Sequence, residues 1–155
     1  MTIIESLMKT ELVTVKADET VAHAAWSMAR NEVGAVLVLE GEALMGVLSE
    51  RDVVTRVVAE GLEPTDTKVA EVATAEIATA DVKSSVRECA ERIQAEGIRH
   101  LPILRDGKPV GILSSRDFFA YVVKGLDRLV EHGQYEKAIA EGQDPYDHLG
   151  GSYGG

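Results

Sequence analysis

The sequence predicts an α+β protein made of two tandem copies of one β-α-β-β-α repeat, followed by a C-terminal helical arm. The chain matches itself without a gap when it is shifted by 65 residues. Within each copy, segments with helical apolar spacing alternate with short β-branched runs, and a glycine-containing turn separates two of these runs. We expect the two copies to pack through their sheets with pseudo-two-fold symmetry, because a repeat of about 60 residues alone is only marginally stable.

The repeat is clearest around one motif. GVLSERD at 46–52 aligns with GILSSRD at 111–117 under the shift of 65 residues. Other identities follow at Thr14/Thr79, Val21/Val86, Ala25/Ala90, Val57/Val122 and Val58/Val123. A single register that holds over most of the chain indicates an internal duplication.

The elements of each copy follow from local patterns. Val21, Ala25 and Met28 have helical spacing behind Thr20, a plausible N-cap, and 33–39 is an apolar run typical of a buried strand. For the first copy we predict strand 12–15, helix 20–31, strands 33–39 and 44–48, and helix 50–60. For the second copy we predict strand 77–80, helix 84–96, strands 99–104 and 109–113, and helix 115–124.

These elements imply an order of domains along the chain. We expect a first domain at 7–61, a linker at 62–68, a second domain at 69–125, a helix at 126–141 and a disordered tail at 142–155. The last helix of each domain has a wide apolar stripe: Val53, Val54, Val57 and Val58 in one, and Phe118, Phe119, Val122 and Val123 in the other. The stripes fit either a deep core between the halves or a two-fold interface with a second chain.

Composition excludes several classes of protein. The 16 basic and 26 acidic residues give a net charge of −10, which disfavours binding to nucleic acid or to anionic membranes. Cys89 is the single cysteine, so no intrachain disulfide and no cysteine-rich zinc site can form. The histidines lack metal-ligand spacing, and no apolar run approaches the roughly 20 residues of a membrane span. A cytoplasmic protein without a metal fits these observations.

The repeated Ser-x-Arg-Asp element follows a predicted strand and opens a helix in both copies. Ser49 and Asp52, like Ser114 and Asp117, have the spacing of a capping box. Capping alone does not account for an arginine in the first helical turn, where the helix dipole disfavours a cation. Backbone N–H groups, the serine and Arg51 or Arg116 suit a phosphate, and the aspartate suits ribose hydroxyls. Both interpretations, helix cap and nucleotide contact, stay open.

The duplicated repeat resembles a pair of CBS domains, a Bateman module. The resemblance covers about residues 7–124, through TVKADETVAHA, VGAVLVLEG and GVLSERDVV in the first copy and RHLPILRDGKPVGILSSRDFF in the second. It implies clefts between the domains that bind adenosine compounds, with Asp52 and Asp117 on ribose and Ser49 and Ser114 near phosphate. It also implies backbone contacts to adenine from Thr14-Val15 and Thr79-Ala80.

The resemblance further implies a homodimer and a regulatory role. The second copy has Arg99 and His100 where the first has Gly34 and Ala35, so the two clefts are not equivalent if these residues hold phosphate. The few basic groups favour AMP as ligand, with ADP, ATP, S-adenosylmethionine and NAD(H) as alternatives. No catalytic string occurs, so we expect no enzyme but a sensor that acts on a protein effector in another chain. The alternative is a ligand-free structural or interaction dimer whose motifs are only helix caps.

Overall fold

The computed structural model describes residues 1–142, and the expected disorder of the tail therefore falls almost entirely outside the described residues. Residues 1–117 form one compact unit, which contains both sheets. Residues 118–142 belong to a second unit.

Both predicted repeats fold into a small sheet with helices packed on it. The first repeat contains β1 Thr14–Lys16, α2 Val21–Asn31, β2 Ala35–Glu40, β3 Ala43–Ser49 and α3 Glu50–Asp52, after a short N-terminal helix α1 Ile3–Leu7. A π-helical segment Val53–Val58, α4 Val69–Val72 and β4 Thr74–Ala75 follow. The second repeat contains β5 Ala80–Asp81, α5 Val86–Glu96, β6 His100–Arg105 and β7 Lys108–Ser114, and α6 Ser115–Ala140 continues from it.

The strand registers reproduce the sequence repeat. The first sheet has the order β1-β2-β3-β4 and the second has the order β5-β6-β7. Val15 pairs with Val38 in parallel, and the residues 65 positions later, Ala80 and Ile103, pair in the same way. Ala35 pairs with Ser49, and His100 pairs with Ser114, each in an antiparallel hairpin. The predicted α+β fold with two sheets is therefore confirmed.

Alternation along the strands divides each sheet into two buried faces. Val36 and Val38 face helices α2 and α4, whereas Ala35 and Leu37 lie in a cluster with residues of the second repeat such as Ile112. Since neighbouring side chains of a strand point to opposite faces, one face is covered by helices and the other by the partner sheet. The sheets therefore pack on each other, which brings the ends of their hairpins together.

The two repeats exchange one segment each. Ile4 of α1 is 1% exposed in the core of the second repeat, and the Thr2 hydroxyl donates to the carbonyl of Val82 at 2.8 Å. Val69 of α4 is fully buried in the core of the first repeat. Ile4 and Val69 lie 65 residues apart, so the exchange obeys the repeat. The sequence patterns did not predict α1, nor did they show that the stretch after the predicted linker completes the first sheet.

The predicted helix 50–60 has a different form. One α-helical turn at Glu50–Asp52 leads into the π-helical segment, where the amide of Ala59 donates to the carbonyl of Val54 at 2.9 Å. Five of the six residues in this segment are β-branched, which weakens the preference for a regular α-helix. Val57 points into the core while Val54 and Val58 are exposed, so only part of the apolar stripe is buried.

The predicted break between helices 115–124 and 126–141 is absent, because α6 runs through both. A glycine inside a helix costs only about 1 kcal/mol relative to alanine, and Gly125 and Gly133 are tolerated. Phe119 is 68% exposed and Leu129 is 69% exposed, so this helix presents apolar side chains. In the described part of the chain, none of the helices combines the length and the apolar character that crossing a bilayer needs.

Candidate functional site

One cavity joins the Ser-x-Arg-Asp element of the first repeat to the start of β6 in the second. This cavity, which we name the Asp52 cleft, has a volume of about 390 Å³. Ser49, Arg51 and Asp52 line it from one repeat, and Arg99 and His100 line it from the other. The structure thus brings five of the predicted site residues together.

Ser49 and Asp52 are held by a complete capping box. The amide of Asp52 donates to the Ser49 hydroxyl at 3.2 Å, and the amide of Ser49 donates to Asp52 Oδ2 at 2.9 Å. The other carboxylate oxygen lies 3.6 Å from the Arg56 guanidinium, and the Asp52 side chain is 14% exposed. The capping box therefore fixes the Asp52 side chain, and the second carboxylate oxygen faces Arg56 in an ion pair.

Arg99 and His100 reach the cleft because α5 ends just before them. Gly97 adopts a φ of 60°, and the left-handed turn leads the chain into β6. Burial lowers the pKa of His100 below its ordinary value of 6.5, and the nearby Glu50 carboxylate opposes this effect. His100 is therefore a neutral hydrogen-bonding group at pH 7, and Arg99 carries the positive charge.

A second cavity, the Asp117 cleft, lies at the pseudo-symmetric position and measures about 260 Å³. Ser114, Arg116 and Asp117 line it from the second repeat. The Ser114 hydroxyl donates to Asp117 Oδ2 at 2.7 Å and accepts from the Asp117 amide at 3.0 Å. Gly34, Glu50, Arg99 and His100 line both clefts, so these residues lie where the two cavities adjoin.

Four predicted contacts line neither of these two clefts. They are Thr14, Val15, Thr79 and Ala80. Val15 and Ala80 are each 2% exposed because their side chains point into the helix-covered cores. The stretches just before them line the clefts instead, with Leu12 and Val13 in one and Thr74 and Ile77 in the other.

Four further residues line the clefts that the sequence patterns did not predict. Lys9, which follows α1, lines the Asp117 cleft, and its counterpart Thr74 lines the Asp52 cleft. Thr55 and Arg56 line the Asp52 cleft from the π-helical segment. The 65-residue shift also aligns Ile4 with Val69 and Leu7 with Val72. Extending the repeat this far upstream would have predicted that Lys9 and Thr74 occupy equivalent places.

No metal-binding group of three or more His, Cys, Asp or Glu side chains occurs among residues 1–142. Cys89 is fully buried in the core of the second repeat, and burial raises the pKa of its thiol. A buried thiol of raised pKa is a poor nucleophile, so Cys89 is a core residue and not a reactive group.

Two sheet-packed repeats with paired clefts at their junction define a tandem-repeat module. The chain belongs to the CBS domain family, whose model matches residues 4–59 and 69–124. The family assignment that the sequence motifs suggested is thereby confirmed, and the match includes Val69–Val72 and all of the exchanged helix Ile3–Leu7 except its first residue.

Relatives and solved structures of this family match most of the chain. The CBS domain-containing protein YhcV of Bacillus subtilis is 32% identical over 117 residues, which cover 76% of this chain and 83% of YhcV. The CBS domain protein PAE2072 of Pyrobaculum aerophilum, whose structure is complexed with AMP, is 29% identical with a TM-score of 0.66. That match covers 74% of this chain and 88% of PAE2072.

Other relatives are much longer. CBS domain-containing protein CBSCBSPB3 of Arabidopsis thaliana is 29% identical over 140 residues, which cover 90% of this chain but 25% of that protein. The chain therefore spans about a quarter of the length of this plant relative. None of the three relatives described here bears the name of an enzyme.

Proposed function

We propose that the chain is a regulatory module that binds an adenine nucleotide, AMP in the first place, in the Asp52 cleft. The observation that carries the proposal is the meeting of Asp52 and Ser49 of one repeat with Arg99 of the other in a single cavity. Its volume of about 390 Å³ lies in the usual range for small-molecule sites. The AMP complex of PAE2072, a relative of the same family, supports the choice of ligand.

Each group in the cleft has a role in this proposal. The Asp52 carboxylate accepts from the ribose hydroxyls, replacing its ion pair with Arg56. The phosphate takes charge-assisted hydrogen bonds from Arg51 and Arg99 and a hydrogen bond from Ser49. Three arginines line the cleft against two carboxylates, a balance that suits a monophosphate better than a triphosphate.

A ligand that contacts both repeats shifts the equilibrium between two arrangements of the repeats, and no covalent bond is made or broken. A regulatory output then arises because the ligand binds one arrangement better than another. We propose that the chain acts as a homodimer on an effector protein in another chain. Trp26 and Val54 are 57% and 59% exposed, which supports an apolar contact surface on the first compact unit.

The test compares two capping-box acids. Asp52→Ala and Glu88→Ala each remove a complete capping box, and Glu88 on α5 lines neither cleft. Each change should cost about 1 kcal/mol of stability through the lost cap. Only Asp52→Ala should abolish the stabilisation by AMP, which for a ligand at 100 times its Kd is about 2.7 kcal/mol. Thermal unfolding with and without AMP, and isothermal titration, measure both effects.

A ligand-free interaction module is the second candidate. It is favoured by the complete capping box at Ser49 and Asp52, which gives both residues a purely structural role. It predicts that Asp52→Ala and Glu88→Ala have the same effect, with no response to AMP in any variant. Retained AMP affinity in Asp52→Ala would instead refute the assignment of the ribose to Asp52.

A further inference from the structure

The two clefts differ in which corresponding positions carry a charged residue. The counterpart of Arg99, 65 residues earlier, is Gly34. A Cβ atom placed on Gly34 would lie 3.3 Å from Oε1 of Glu50 and 3.7 Å from Cε1 of His100. A carboxylate therefore lies where an arginine side chain would begin if the Asp117 cleft repeated the Asp52 cleft. The counterpart of Glu50 itself is the uncharged Ser115.

A second acid strengthens this asymmetry. Glu32 lines the Asp117 cleft, and its counterpart in the Asp52 cleft is Gly97. Both residues end a helix in the left-handed conformation, with φ of 53° for Glu32 and 60° for Gly97. Glycine is the residue that suits this conformation, so the chain carries a carboxylate here against the backbone preference.

The charged groups of the two cavities differ accordingly. The Asp52 cleft has three arginines against Glu50 and Asp52. The Asp117 cleft has three cations, Lys9, Arg99 and Arg116, against four carboxylates: Glu11, Glu32, Glu50 and Asp117. Arg99 lines both clefts, so its guanidinium supplies one positive charge that the two clefts share. A phosphate in the Asp52 cleft offsets that charge, which leaves Lys9 and Arg116 as the remaining cations against four carboxylates in the Asp117 cleft.

We propose that Glu32 and Glu50 exclude phosphate from the Asp117 cleft, so that the chain binds one AMP and not two. The inference rests on the proposed nucleotide site in the Asp52 cleft and adds what restricts binding to that site. A phosphate that enters the Asp117 cleft meets like charges near it, and their repulsion opposes its binding. The two glutamates are then specificity-determining residues of the module.

The experiment counts AMP bound per chain in matched variants. Glu32→Gln/Glu50→Gln removes both charges with little change of shape, and Glu50 and Glu32 are exposed, so folding should be retained. Glu40→Gln/Glu42→Gln is the control, because it changes the net charge equally at the exposed β2–β3 turn and lines neither cleft. Equilibrium dialysis with AMP up to about 1 mM gives the stoichiometry, and circular dichroism confirms folding.

The inference predicts one AMP for the wild type and for the control, and two for Glu32→Gln/Glu50→Gln. The second affinity should rise at least about tenfold, equivalent to about 1.4 kcal/mol. Adding Asp117→Ala to that variant should return the count to one. A wild-type count of two, or an unchanged count in Glu32→Gln/Glu50→Gln, overturns the inference and leaves the proposed function standing. A wild-type count of zero overturns the proposed function itself.

Discussion

Replacing Ile4 with alanine tests whether the N-terminal helix is part of the second repeat. Ile4 is 1% exposed and packs with Leu101, Ile103 and Leu113. The change removes three carbon atoms, and about 0.8 kcal/mol for each buried carbon gives a loss of about 2.4 kcal/mol. The cavity that remains extends the expected range to about 2–5 kcal/mol. The midpoint of thermal unfolding should therefore fall by about 5–15 °C.

The matched control lies on the same helix. Ile3 is 53% exposed, so Ile3→Ala should change stability by no more than about 0.5 kcal/mol. Urea and thermal unfolding, followed by circular dichroism, measure both variants. Equal effects of the two substitutions, or a negligible effect of Ile4→Ala, would show that α1 does not pack against the second sheet as described.

Two further predictions concern glycines and pH. Gly46→Ala should destabilise the fold by about 1–3 kcal/mol, because its Cβ would lie 3.1 Å from the carbonyl carbon of Thr74. Gly125→Ala in α6 should stabilise the fold by about 1 kcal/mol, because alanine favours a helix and no neighbouring atom lies within 4 Å of the added Cβ. Thermal melts that show the same sign for both variants would contradict this. Burial lowers the pKa of folded His100, so unfolded chains take up its proton first as the pH falls below 6.5. Stability should therefore be full above pH 6.5 and decline below it. His100→Gln should decline less between pH 7.5 and about 5.5, and an equal decline in both proteins would rule His100 out.

Much of the fold could be predicted from the sequence because each element occurs in both repeats, so two sequence patterns support each prediction. Gly46 and Gly111 occupy the same register on β3 and β7, and each faces an exchanged segment, Thr74 in one sheet and Met8 in the other. The exchange itself was hidden, since Ile4 and Val69 are similar rather than identical and lie outside the repeat's clearest motif. Periodicity alone does not show which sheet a short helix covers.

The sequence likewise predicted part of the candidate site and not the rest. The Ser-x-Arg-Asp elements identified Ser49, Asp52, Ser114 and Asp117, because a motif at a strand–helix junction has a fixed local geometry. Their neighbours across the clefts depend on tertiary packing. Lys9 and Thr74 reach the clefts because they follow the exchanged helices α1 and α4, and Arg56 does so from a π-helical turn that local propensity does not predict.

The exchange of α1 and α4 has a consequence for the origin of the chain. A single repeat released from its partner would lack the helix that closes its core, since that helix precedes the other copy. Two identical single-repeat chains would complete each other's cores by exchanging these helices, as domain-swapped dimers do. The present chain is then the covalently closed form of such a swapped pair. Joining the two copies in one chain allows corresponding positions to differ, as Gly34 and Arg99 do.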